Sequence, residues 1–193
     1  MQTEILLPKK VLIALLAMLL IPMQIFAQDE YFDFCNQSMM LVNNGMIVLG
    51  LWAIFNILTG TYGWLRFAGK NKYFHQMNFF WNTVNLLIAG IALYNNYHFD
   101  CSMMNPDEIT GKHLETEKIL LINAFLDAGY IGTGFLLRHF SVKSIKRGDL
   151  LKGYGNSLLL QGTFLLVFDL ILYTVLRNFR IDYLDTIGLT FLQ

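Results

Sequence analysis

Apolar residues in this chain arrive in long blocks, not in the short alternating bursts of a soluble sheet protein. Four such blocks follow one another after residue 27: about residues 39–64, 77–94, 119–140 and 157–176. Each is long enough to cross a hydrocarbon core about 30 Å thick as a helix. Helix is the expected form because lipid offers no partner for free backbone groups, and the runs lack the two-residue alternation of barrel strands. The pattern predicts an all-α fold, a polytopic membrane four-helix bundle.

A fifth apolar run, VLIALLAMLLI at residues 11–21, follows Lys9 and Lys10 and precedes a polar start at Gln28. A basic start, a short apolar run and a small residue before the polar start describe a signal peptide, and eleven apolar residues fall short of the roughly 20 that a span needs. We therefore expect residues 1–27 to be a signal peptide cleaved after Ala27, and residues 28–193 to form one four-span domain. Residues 98–118 are expected to be the longest exterior loop, broken at Pro106, and residues 177–193 a short segment lying on the outer surface.

Polar residues inside the blocks are patterned too. The stretch FHQMNFFWNTVN, residues 74–85, opens the second span. At about 100° per residue, His75, Asn78, Asn82 and Asn85 form one stripe on that helix. Asn123 and Asp127 share a face of the third span, continued by Tyr130. Ser157 and Gln161 share a face of the fourth, with Asp169 on the same broad side. Asn43, Asn44 and Asn56 are candidates in the first. Buried amides must pair, so helices closed around a polar seam are the simplest account. Asp127 and Asp169 demand more. No Lys or Arg falls deep within a span to neutralise them, so each carboxyl is expected to be protonated, hydrogen-bonded to amides or paired with a cation.

Charge sets direction. The first and third connections carry Arg66, Lys70, Lys72, Arg138, Lys143, Lys146, Arg147 and Lys152 against one acid, Asp149. The second connection and the segment after Ala27 are acidic. The positive-inside rule then places the mature N-terminus, the second connection and the C-terminus outside a bacterial inner membrane, with Arg177 and Arg180 counting mildly against this. Cys35 and Cys101, the only cysteines, fall on the outer side and are expected to form a disulfide.

Composition agrees: 55% of residues are hydrophobic and 15% charged, with zero formal net charge. The lipid bilayer is the implied partner and nucleic acid is not. Other chemistry is thin. Met39, Met40, Met103, Met104 and His98 beside the cysteines would suit Cu(I), and His75 with His139 would suit haem, but neither set compels a cofactor, and no catalytic or metal-binding set is assigned. His113 is expected to be solvated in the exterior loop.

The stretches FHQMNFFWNTVN, LINAFLDAGYIGTG and YGNSLLLQGTFLLVFDL together resemble a family of small bacterial membrane proteins that is a domain of unknown function, over about residues 40–176. The resemblance implies a four-helix membrane protein and carries no activity. Two function readings follow from the residues. The first is a structural or interaction protein whose seam holds the bundle together, alone or with a protein partner or second copy. The second is a small transporter or proton- or cation-coupled protein using Asp127 on a small polar ligand or cation. A haem or copper redox protein ranks third.

Overall fold

The computed structural model describes residues 9–186, with side chains over residues 31–185. Four helices follow in order: α1 (Lys9–Arg66), α2 (Gly69–Tyr97), α3 (Pro106–Lys143) and α4 (Gly148–Thr186), with a 3-10 turn at Cys101–Met103 between α2 and α3. No strand occurs among the described residues. All four helices are long and apolar enough to cross a membrane. Of the expected signal peptide, residues 1–8 lie outside the described residues; from Lys9 onward the chain is helical and continues into α1.

The helices overrun the expected spans, and two segments change class. Residues 106–118, expected in a loop, are the first three turns of α3. Pro106 does not break that loop; it starts the helix, where its missing N–H costs nothing. Asn105 accepts from the Glu108 backbone N–H at 2.9 Å, and Glu108 accepts from the Asn105 N–H at 3.1 Å, a reciprocal cap. Likewise residues 177–186 extend α4 instead of turning onto a surface; residues 187–193 lie outside the described residues. Apolar run length marks where a helix can meet lipid, not where its hydrogen-bonded ladder ends.

α1 packs along α2, α3 along α4, and α2 also against α4, whereas α2 and α3 make next to no close backbone contact. Glycine permits close approach of α3 and α4: a Cβ on Gly134 would lie 3.0 Å from the Gly155 carbonyl, and one on Gly155 would lie 2.8 Å from that of Gly134. Gly69 starts α2 at φ 58°, in the left-handed region, after a two-residue joint from α1.

The end bearing the 3-10 turn is clamped several ways. Cys35 of α1 is joined to Cys101 by a disulfide. Phe34 stacks on Phe179 and on Tyr183 of α4. His113, expected to be solvated, is buried. Its Nδ1 lies 2.6 Å from the Ser38 hydroxyl, and its Nε2 lies 3.1 Å from both the Leu176 carbonyl and Glu117. Arg180 donates to both Glu117 oxygens, at 2.8 and 3.2 Å, an ion pair that joins α4 to α3. In the turn itself, the Ser102 backbone N–H and hydroxyl donate to the exposed Asp100 and hold its carboxyl below the usual range; that contribution is present above pH 3.8 and lost as pH falls through the lowered value.

The disulfide spans 66 residues of sequence, so opening it releases a long loop in the unfolded chain. Cys35→Ser with Cys101→Ser is expected to lose about 2–4 kcal/mol, read by unfolding with and without reductant. Wild type in reductant should match the double variant.

Candidate functional site

The predicted polar stripe divides into two regions of different chemistry. Asn78 of α2, Trp52 and Asn56 of α1, and Ser157 and Gln161 of α4 meet in one buried knot. The Gln161 carbonyl accepts from Trp52 Nε1 at 3.0 Å, and its NH2 donates to the side-chain oxygens of Asn56 and Asn78, both at 3.2 Å. Ser157 also donates to Asn78, at 2.5 Å. Asn56 donates to the Trp52 carbonyl and Asn82 to the Asn78 carbonyl, each at 2.9 Å. Trp52 is further held by stacking on Phe164, centroids 3.8 Å apart. Gln161 and Ser157 are wholly buried. Every Gln161 polar group is used, and the knot ties three helices.

About two turns further along α2 and α4 the interior changes. Asn85, Asp127 and Asp169, all buried, line a cleft of about 310 Å³ together with Trp81, Asn123 and Tyr130. Leu49, Val84, Ile88, Leu126 and Leu165 supply its apolar walls. The carboxyls of Asp127 and Asp169 lie within interaction reach of each other across the α3–α4 contact. Two carboxylates that close do not both stay ionised unless a proton or a cation bridges them. Asp127 Oδ2, Asn85 Nδ2 and Trp81 Nε1 are buried without a hydrogen-bond partner, as is Asn82 Oδ1 just beside the cleft. Trp81 stands edge-on to Tyr130, centroids 4.6 Å apart, in place of the missing backbone contact between α2 and α3. No Lys or Arg lines the cleft.

Of the sequence-predicted residues, Asn78, Asn82 and Gln161 therefore belong with the knot, while Asn85, Asn123, Asp127 and Asp169 belong with the cleft, Asn123 at its exposed rim. Asn43 pairs with Asn96 at 2.8 Å, outside both. His75 joins neither: its ring stacks on Phe67 near the α1–α2 joint, and its Nδ1 has no partner. His139 is exposed. Sequence reasoning missed the Trp52 contribution and the Ser38–His113–Glu117–Arg180 cluster. Trp52 lies one turn from Asn56 and was legible in principle; the cluster joins three helices at separations of 63 and 75 residues, which no local pattern announces.

No group of three or more His, Cys, Asp or Glu side chains that could hold a metal occurs among the described residues. The two cysteines are consumed in the disulfide and offer Cu(I) no thiolate.

A family model described as a family of unknown function (DUF6992) matches residues 48–170, which takes in the knot, the cleft and both aspartates. No curated protein and no solved structure matches the chain.

Proposed function

Because the chain belongs to the family of unknown function DUF6992, its activity has to be argued from the site, and we propose that it is an integral membrane protein that handles a proton or a small cationic or polar ligand at the Asp127–Asp169 pair. One observation carries this reading: two neighbouring buried carboxyls, one with an unpartnered oxygen, on residues that line a cleft with no Lys or Arg. Ionisable groups in such surroundings are costly and are kept where they act. The Gln161 knot favours the structural reading for its own residues, and we assign it that role: it is the scaffold that holds the acid pair in place.

The helices favour a bilayer setting by length and composition. The eight basic residues cluster about the α1–α2 and α3–α4 connections, and the disulfide lies at the opposite end. Both features suit an inner-membrane orientation with the disulfide end outside and residues 1–27 removed on export.

Infrared titration of the protein in lipid nanodiscs tests the reading. Wild type is expected to show a carboxyl or carboxylate band that responds to pH or to monovalent salt and vanishes in Asp127→Asn. A spectrum identical in the two proteins at every pH and salt concentration would refute it.

A further inference from the structure

The cleft opens sideways. Its lining residues Val84, Ile88 and Leu126 are also among the exposed hydrophobic side chains, so they form its lips between α2 and α3, where the backbones stand apart. Ile122 and Phe125 extend the apolar surface on one side, and Leu87 and Ile91 on the other. In a bundle that crosses a bilayer, this mouth faces acyl chains.

The interior selects what can pass. Trp81 Nε1 and Asn85 Nδ2 are two unpartnered donors, and Asp127 Oδ2 is an unpartnered carboxyl oxygen. Two N–H donors without partners, on residues that line the space, oppose a bare metal ion and call for an acceptor such as a carbonyl. The carboxyls complement either oxidation level of a quinone ring: a protonated carboxyl can donate to a carbonyl, and the unpartnered Asp127 oxygen can accept from a hydroxyl. A zwitterionic lipid headgroup would have to leave the interface to reach the site, at the cost of burying its charges; an uncharged ring does not. A volume of about 310 Å³ lies at the small end of the range for small-molecule sites, about 300–1,000 Å³, and fits one substituted ring with its tail leaving through the lips.

We propose that the cleft binds the ring of a membrane-dissolved quinone or quinol, entering between α2 and α3, with Asn85 and Trp81 donating to one ring oxygen and Asp127 facing a ring oxygen. This inference rests on the acid-pair reading above and concerns binding alone.

A decyl-tailed benzoquinone titrated into nanodiscs, followed by quenching of tryptophan fluorescence, provides the test. Wild type is expected to show saturable quenching. Asn85→Leu should weaken binding at least about tenfold, as loss of one buried hydrogen bond predicts. Val84→Phe, a change at an outward-facing lip that leaves the packed interior alone, should do the same by narrowing the mouth. Saturable binding unchanged in both variants would place the quinone elsewhere and overturn the inference. Absence of saturable binding, with the infrared response of the acid pair intact, would overturn the ligand class and leave the acid-pair reading standing. Absence of both would remove both.

Discussion

Gln161→Met is expected to destabilise the protein by about 3 kcal/mol, the sum of several small penalties from one side chain. Methionine matches glutamine in length and keeps the packing, so the loss reports hydrogen bonds and not a cavity. Trp52 Nε1 and Asn56 Oδ1 lose the partner they have in Gln161, and Asn78 retains only Ser157. Stranding a buried donor or acceptor costs about 1–3 kcal/mol, and interhelical hydrogen bonds in membranes average nearer 0.6 kcal/mol, so three together fall near the figure given. Reversible unfolding in mixed micelles is the measurement. A loss below about 0.5 kcal/mol would mean that the surrounding apolar contacts hold the helices without the knot.

Asp127→Asn is expected to behave in the opposite way. The substituted amide can donate to Asp169 without a proton or cation between them, and it keeps an oxygen toward the cleft. The same unfolding measurement should show stability unchanged or raised by about 1 kcal/mol, while the infrared response of the site is abolished. Gain of stability with loss of response is the signature of a group retained for what it does. If Asp127→Asn instead unfolds the bundle as severely as Gln161→Met, the carboxyl pair is a structural tie like the knot, and the functional reading fails.

These two substitutions separate what was legible in the sequence from what was not. Helix class, number and order were legible because hydrophobic block length and the burial of amides obey short-range periodicities. Asn78, Asn82, Asn85, Gln161 and Asp127 do turn inward, as a helical stripe must if it is to avoid hydrocarbon. The division of that stripe was not legible. Rotation about a helix axis tells which residues share a face but not what stands opposite, so a satisfied Asn78 and an unsatisfied Asn85 look alike in sequence. The helical first turns of α3 were available in Asn105-Pro106-Asp107-Glu108, whose starting signals were outweighed by the polarity of the segment that follows. The burial of His113 depended on Ser38 and Arg180, distant in the chain, and could be found only once the helices were assembled.

The position of the disulfide also bears on the order of assembly. Both cysteines precede α3, so Cys35 and Cys101 can be linked while α4 is still unsynthesised. Closed at that stage, the disulfide would lock a hairpin of α1 and α2 that Asn43 and Asn96 also pin, with Asn56 and Asn78 waiting for an amide that arrives only with Gln161. A chain stopped before α4 would thus carry an unquenched polar flank that the finished bundle lacks.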